Sequence, residues 1–103
     1  MTFTLPQLPY SYDALEPHFD ARTMEIHHSK HHAGYTAKFN AALEAVALNS
    51  TDLTSLMESM DMDNSALRNN GGGYFNHCLF WENLSPTSTE MSSDLKSCIE
   101  RCF

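Results

Sequence analysis

Several features are scarce in this 103-residue chain, and each scarcity excludes a class of protein. No hydrophobic run approaches the roughly 20 residues that cross a membrane, and the first ten residues hold neither the basic nor the apolar segment of an export signal. Lys and Arg number six against thirteen Asp and Glu, and the net charge of −7 disfavours nucleic acid as a partner. With four Gly, four Pro and 42% hydrophobic residues, neither a fibrous nor a disordered chain is expected.

Cysteine is also scarce. Three cysteines, an odd number, in a chain without an export signal are typical of free thiols in a reducing compartment. The sequence therefore predicts a cytoplasmic protein that binds neither nucleic acid nor membranes. Its length predicts at most one small domain.

The first twenty residues have no helical periodicity and contain Pro6, Pro9 and Pro17. Each proline removes a backbone donor and disfavours helix at the residue before it, so an extended arm is predicted. The apolar residues of this arm indicate that it lies on another surface: Phe3, Leu5, Leu8, Tyr10, Tyr12 and Leu15.

Four segments after the arm carry apolar residues at helical spacing, which predicts an all-α chain. Asp20 is positioned to cap the first helix, and Asp63 or Asn64 the third. The first helix would be about 40 Å long, too long to be stable without something alongside it. The predicted helices are Ala21 to Leu48, Leu53 to Met60, Ser65 to Asn83 and Thr89 to Phe103.

Two helices have unusual features. Gly71-Gly72-Gly73 would weaken the third by about 1 kcal/mol per glycine. The helical period continues from Leu67 to Trp81, so one continuous helix is predicted, with the glycines allowing close approach of another helix. The last helix carries an apolar stripe without a mate among the earlier elements: Met91, Leu95, Cys98, Ile99 and Cys102.

Histidine, in contrast, is clustered. Helical residues four apart share a face, so His27 and His31 project together, and His28 and His32 project together about 100° around the helix. On the other long helix, His77 shares a face with Tyr74 and Trp81. The predicted broad face of the first helix contains positions 24, 27, 31, 34, 35, 38, 39, 42 and 46.

These histidines allow two interpretations. Imidazole is a common transition-metal ligand, and antiparallel helices could bring His27 and His77 within a few ångströms of each other. Histidines on a helix are also often only hydrogen-bonded or exposed, and His28 and His32 are expected to face solvent. The spacing also fits a site in which two histidines four residues apart on one helix bind the same ion. Periodicity therefore leaves open whether a metal binds and which histidines bind it. Nearby, Lys30 and Lys38 could attract a small anion, and an ordinary solvated lysine is the favoured interpretation of Lys38.

Three segments of the chain carry distinctive motifs: residues 3–10 (FTLPQLPY), 24–35 (MEIHHSKHHAGY) and 69–86 (NNGGGYFNHCLFWENLSP). These segments resemble the iron/manganese superoxide dismutase family. They contain the start of the arm, the first histidine cluster, and the glycine run with the histidine and tryptophan that follow it. The likeness extends through nearly the whole chain, and the motifs are specific to this family.

The resemblance implies a long antiparallel α-hairpin with an extended N-terminal arm and the start of a third main helix. In this family the hairpin is ordinarily followed by an α/β domain with a small antiparallel sheet. Residues 1–86 are accordingly expected to form the hairpin domain. Residues 87–103 are expected to be the first helix of a C-terminal domain that this chain does not complete.

The resemblance also implies a site in which His27 and His77 are two of four protein ligands of one manganese or iron ion. His31 and Tyr35 would lie at the substrate funnel, with Tyr35 in the hydrogen-bond relay to the metal-bound solvent, and Trp81 would wall the site. The implied activity converts two superoxide ions and two protons to dioxygen and hydrogen peroxide by alternating reduction and oxidation of the metal. Superoxide is the implied substrate, and a homodimer or homotetramer the implied assembly.

The chain departs from the family pattern in its ligand set. The other two ligands, in an Asp-x-x-x-His run, belong to the second domain, and no such run occurs here. The 103-residue chain alone is therefore expected to be inactive, and the alternative is a non-catalytic helical module that binds metal or oligomerises. Iron-type members usually carry Gln four residues before the second His ligand, where this chain has Gly73, so the resemblance favours manganese.

Overall fold

The computed structural model describes residues 3–103, and every regular element in that range is a helix. The predicted all-α fold is confirmed, while the first two residues of the predicted arm lie outside the described residues. Each predicted helix is present, with ends that differ by a few residues. The elements are α1 (Ala21–Ile26), a π-helical segment (His27–His32), α2 (Ala33–Ala45), α3 (Leu53–Ser59), α4 (Ser65–Asn83) and α5 (Ser93–Cys102).

Side-chain caps fix where the helices begin. Asp20, Asp52, Asn64 and Ser92 each accept a hydrogen bond from a backbone N–H in the first turn of the helix that follows. Such caps satisfy donors that have no partner inside the helix. Of the two residues predicted to cap the second long helix, Asn64 is the one that does so.

The first long helix, residues 21–45, consists of α1, the π-helical segment and α2, and its backbone stays right-handed through both junctions. It ends earlier than the predicted Leu48. Ala47 has a positive φ of 56°, and the Leu48 N–H donates to the Leu43 carbonyl at 3.0 Å. This left-handed turn satisfies a terminal carbonyl and stops the helix.

The π-helical segment changes which histidines share a face. The Ala33 N–H donates to the His28 carbonyl, five residues back, where an α-helix would bond four back. Because this winding places more residues in each turn, residues five apart come closer to a common face. His27 and His32 therefore both contact α4, an arrangement that α-helical spacing did not predict.

The helix α4 packs antiparallel along the first long helix. His27 lies beside Trp81 at one end, and Phe39 lies beside Gly71 further along. Rising residue numbers on one helix thus meet falling numbers on the other, which confirms the hairpin. The main core lies between the two long helices, α3 and the arm, and contains Phe3, Phe39, Ala42, Leu43, Leu56, Leu67 and Tyr74.

The three consecutive glycines lie inside α4 without breaking it, as predicted. A Cβ on Gly71 would lie 2.7 Å from the Met60 methyl group and 2.9 Å from the Phe39 ring. A Cβ on Gly73 would overlap the Tyr35 ring, whereas Gly72 has no atom within 4 Å. The two outer glycines therefore permit close approach of neighbouring side chains, and the middle one does not serve this purpose.

Alanine substitutions at the last two glycines are expected to have opposite effects on stability. Gly72→Ala adds a methyl group in open space and should raise the free energy of unfolding by about 1 kcal/mol through helix propensity. Gly73→Ala gains the same propensity but forces the Tyr35 ring to move, and overpacking costs typically 1–3 kcal/mol, so a net loss is expected. Urea unfolding followed by circular dichroism measures both, and equal stabilisation by the two variants would contradict the close approach at Gly73.

The arm lies against the hairpin, but it is extended only in its first part, since residues 12–18 form consecutive turns closed by backbone hydrogen bonds. The Asn40 amide pairs with the backbone of Phe3, accepting from its N–H at 2.9 Å and donating to its carbonyl at 2.7 Å. The Tyr74 hydroxyl donates to the Thr4 carbonyl at 2.8 Å. Phe3 is buried, and its ring stacks on Phe39 at 5.3 Å. These contacts fix residues 3 and 4 against both long helices.

The helix α5 is exposed along its length. It begins at Ser93, after a non-helical stretch, rather than at the predicted Thr89. Every residue of its predicted apolar stripe is exposed, so no element within residues 3–103 covers it. The division into a hairpin domain and a second domain at residues 86 and 87 stays a prediction.

Candidate metal centre

Two histidines from different helices meet where the π-helical segment packs on α4. The ring centroids of His27 and His77 lie 4.8 Å apart, with the ring planes at 84°. Both side chains are half-buried. Together with Asn76 and Phe80 they line a cavity of about 190 Å³. The structure thus brings together the two residues that the resemblance implied as ligands.

A hydrogen bond fixes the tautomer of His77. Its Nδ1 lies 2.7 Å from the Gly73 carbonyl oxygen, which can only accept, so Nδ1–H is the donor. A neutral ring of this tautomer leaves the lone pair of Nε2 available. Histidines that bind metals almost always donate their other ring N–H in this way, and the bond sets the ring orientation.

His27 is suited to the same role. Its ring nitrogens make no hydrogen bond within residues 3–103. Burial, followed by the neighbouring imidazoles of His77 and His31, lowers the pKa of His27 below its ordinary value. The neutral imidazole, which is the form that binds a metal ion, is therefore favoured at neutral pH.

The other three predicted site residues differ in position. The Trp81 indole is 2% exposed and lies 4.8 Å from the His27 ring, centroid to centroid. The Tyr35 ring lies 5.2 Å from His77, and its hydroxyl makes no hydrogen bond within the described range. His31 is exposed at the edge, 5.8 Å from His27. Trp81 and Tyr35 therefore flank the pair of histidines, and His31 lies outside them.

The expectation that His28 and His32 face solvent is wrong. They are 5% and 0% exposed. The His28 Nε2–H donates to the Pro6 carbonyl at 2.7 Å, and its Nδ1 lies 2.9 Å from the Tyr12 hydroxyl. Because both ring nitrogens have partners, burial leaves no polar atom unsatisfied. His28 thereby fixes the arm to the first long helix.

His32 is buried between the two long helices. Its Nδ1 accepts from the Trp81 Nε1–H at 2.9 Å, and its Nε2 lies 3.6 Å from the Cys78 Sγ. Burial, followed by the charges of nearby histidines, lowers the pKa of His32 to about 4. Burial also raises the pKa of the Cys78 thiol. Both groups are neutral at pH 7, which excludes a thiolate nucleophile at this position.

Sequence reasoning missed both buried histidines, although a signal for them exists. Met24 belongs to the predicted buried face and is 0% exposed. Steps of four from Met24 reach His28, His32 and Thr36, all of which are buried. Following this row would have found them. Positions 31, 38 and 46 of the predicted face are exposed instead.

A second cavity, lined in part by basic residues, lies beside Tyr35. It has a volume of about 250 Å³ and is lined by Lys30, His31, Gly34, Tyr35 and Lys38. The ammonium groups of Lys30 and Lys38 carry positive charge here, although the net charge of the chain is −7. The cavity is therefore a local site of attraction for a small anion.

Two kinds of feature are absent from residues 3–103. No group of three or more His, Cys, Asp or Glu side chains is arranged to hold a metal ion by itself. Within the same range, no helix has the length and apolar character needed to cross a membrane. The His27–His77 pair therefore has no third ligand among the described side chains.

The chain is similar to known proteins over most of its length. A family model described as the alpha-hairpin domain of iron/manganese superoxide dismutases matches residues 2–85. A curated relative from Staphylococcus aureus, superoxide dismutase (Mn/Fe) 2, is 53% identical over 94 residues, covering 87% of this chain and 47% of the relative. The chain thus spans about half the length of this relative. Because the family model covers most of the chain, the protein belongs to the iron/manganese superoxide dismutase family, of which it contains the alpha-hairpin domain.

Proposed function

We propose that this chain provides half of the metal site of a superoxide dismutase, with His27 and His77 as two of the four protein ligands of one manganese or iron ion. The observation that carries the proposal is the meeting of these two imidazoles across the hairpin, 4.8 Å between ring centroids. The hydrogen bond from His77 to the Gly73 carbonyl supports it, because it directs the Nε2 lone pair away from the helix backbone. The remaining ligands would come from outside this chain.

The chain's own residues would shape the chemistry around that ion. A bound manganese or iron ion supplies one-electron chemistry, oxidising one superoxide to dioxygen and reducing the next, with two protons, to hydrogen peroxide. Trp81, 2% exposed, covers one side of the His27 ring. The Tyr35 hydroxyl has no partner within residues 3–103, so it can hold a proton beside His77 and donate it.

The basic cavity is the proposed route of approach. Lys30 and Lys38 line it together with Tyr35 and His31, next to the histidine pair. Superoxide is a small anion, and the two ammonium groups attract it to this face of an otherwise acidic protein. His31 at the edge of the cavity is proposed as a residue of the substrate funnel.

We propose manganese as the metal. Gly73 stands where iron-type members usually have Gln, four residues before the second His ligand. The Tyr35 ring occupies the space that a side chain at position 73 would need. An amide from this position therefore cannot reach the site unless Tyr35 moves. Elemental analysis of purified protein tests this choice.

Dismutation assays on a hybrid protein test the proposed function. In the hybrid, this chain replaces the matching part of the S. aureus relative and is followed by the rest of that relative. Pulse radiolysis is expected to show rapid superoxide decay with the manganese-loaded hybrid and none above free manganese with the 103-residue chain alone. Tyr35→Phe in the hybrid is expected to retain the metal and to slow turnover about tenfold. The reason is that water can deliver protons in place of the lost hydroxyl, but less efficiently than a positioned donor.

The matched control is Tyr12→Phe, which removes a hydroxyl that bonds to His28 rather than facing the proposed site. Its turnover should equal that of the unsubstituted hybrid. A hybrid that holds a full complement of metal and does not dismute superoxide would refute the proposed function. Dismutation by the 103-residue chain alone would refute the division of ligands.

A second candidate is a non-catalytic helical module that binds metal or oligomerises. The exposed apolar stripe on α5 favours it, since such a surface is typical of an interface. We also propose a homo-oligomer for the dismutase itself. The three free thiols support a cytoplasmic location. Metal binding by the hybrid without dismutation would favour this second candidate.

A further inference from the structure

The imidazole of His32 has no role in the proposed ligand set. It is 0% exposed and does not line the cavity between His27 and His77. It nevertheless lies close to the site, since its ring centroid is 5.4 Å from that of His77. His32 is therefore a buried histidine with partners on both ring nitrogens, in ring contact with one proposed ligand but outside the proposed ligand set.

The directions of its hydrogen bonds follow from the chemistry of its partners. The Trp81 Nε1–H can only donate, so the Nδ1 of His32, at 2.9 Å, is the acceptor. In the neutral ring the proton is then on Nε2, which lies 3.6 Å from the Cys78 Sγ. Both nitrogens are engaged, and the pairing with Trp81 fixes the tautomer.

The same bond fixes the indole. Trp81 has one polar side-chain atom, and His32 is the acceptor for it within the described residues. A buried N–H must be paired, so the indole cannot turn away from His32 without leaving that group unsatisfied. The orientation held in this way places the indole edge-on to the His27 ring, at 4.8 Å and 69°.

We propose that His32 is a positioning residue that acts through Trp81, using its Nδ1 to hold the indole as the wall beside His27. The catalytic consequence rests on the proposed function. The hydrogen bond itself is a property of the chain without metal, and so it can be tested separately. Loss of the acceptor is expected to loosen the indole, and to slow turnover in the loaded hybrid while its metal content stays the same.

Two substitutions by residues with neutral amide side chains test the roles of the two His32 ring nitrogens separately. In His32→Asn, the amide oxygen is the same number of bonds from Cβ as Nδ1, so it can accept from Trp81. In His32→Gln, the amide lies one bond further out, at the position of Nε2, on the side of Cys78. The two variants therefore match in charge and hydrogen-bonding groups and differ in whether the Trp81 acceptor is restored.

The readout is the indole N–H resonance of the 103-residue chain, which holds a single tryptophan. In the unsubstituted chain and in His32→Asn, this N–H is expected to be hydrogen-bonded and slow to exchange with solvent. In His32→Gln, it should shift upfield and exchange at least about tenfold faster. Equal behaviour of the two variants, with both retaining or both losing the protected signal, would overturn the proposal.

A measurement on the unsubstituted chain covers the case in which His32→Gln does not fold. An N–H···N hydrogen bond transmits a scalar coupling between its two nitrogens, here the Trp81 Nε1 and the His32 Nδ1. Observation of this coupling in the ¹⁵N-labelled folded chain is expected, and its absence would overturn the proposal. Failure of the hybrid to dismute superoxide would remove the proposed function and leave the hydrogen bond intact, so the two failures are distinguishable.

Discussion

Replacing His77 by alanine is expected to abolish stable metal binding in the hybrid protein that contains all four proposed ligands. The substitution removes the imidazole that α4 contributes and with it the link between the two long helices through the ion. Loss of an outer hydrogen-bond partner of a ligand typically costs 10- to 100-fold in affinity, and loss of the ligand itself should exceed that. The measurement is metal content by elemental analysis after dialysis against a chelator.

His31→Ala is the matched control for this experiment. It removes an imidazole from the same neighbourhood, 5.8 Å from His27, but that ring is exposed and lies outside the proposed ligand pair. Its metal content should equal that of the unsubstituted hybrid. Full metal occupancy in His77→Ala, with the helical content preserved, would show that this histidine is not a ligand. Metal loss in His31→Ala, with full metal content in His77→Ala, would mean that His31 is a ligand in place of His77.

Replacing Asn40 by alanine is expected to destabilise the fold by about 2–4 kcal/mol. The amide satisfies both the N–H and the carbonyl of Phe3, at 2.9 and 2.7 Å, in a buried setting. Each buried group left without a partner costs roughly 1–3 kcal/mol, and the alternative, release of the arm, exposes the Phe3 ring that stacks on Phe39. Urea unfolding monitored by circular dichroism measures the loss.

Asn70→Ala provides the comparison within the other long helix. The Asn70 side chain donates to the Ala66 carbonyl in its own helix and does not tie the arm down. Its removal should change the free energy of unfolding by less than about 0.5 kcal/mol. If the two asparagine variants are equally stable, then Asn40 does not anchor the arm. Limited proteolysis of Asn40→Ala should also cut the arm earlier than in the unsubstituted chain.

The helices themselves were largely predictable, because their signals are local. Asn64 caps α4 and the apolar period runs from Leu67 to Trp81, so the predicted span from Ser65 to Asn83 matches the structure. The end of the first long helix was less predictable. The helix ends where Ala47 adopts a positive φ, a conformation more typical of glycine. An alanine in the sequence does not predict this conformation.

The proposed site, like the helices, could be predicted from the sequence only in part. That His27 and His77 meet follows from two long helices paired antiparallel, and the structure brings them together. The burial of His28 and His32 follows only from the row of every fourth residue that begins at Met24, because an α-helical wheel places them on a separate face from His27. The π-helical segment rotates that face toward α4, and a backbone bonded five residues back carries no signature in the residue types.

By itself, the sequence determined most of the elements: the starts of three of the four predicted helices, the continuous helix through three glycines, a non-helical arm and the clustering of histidines on the first long helix. These depend on residues within one or two turns of one another, where capping and propensity act. The tertiary structure alone decided which imidazoles are paired and which are left to bind a ligand. His32 is satisfied by Trp81, 49 positions away, whereas His27 is left without a hydrogen-bond partner within residues 3–103. Burial and pairing are properties of surfaces that meet only when the chain is folded.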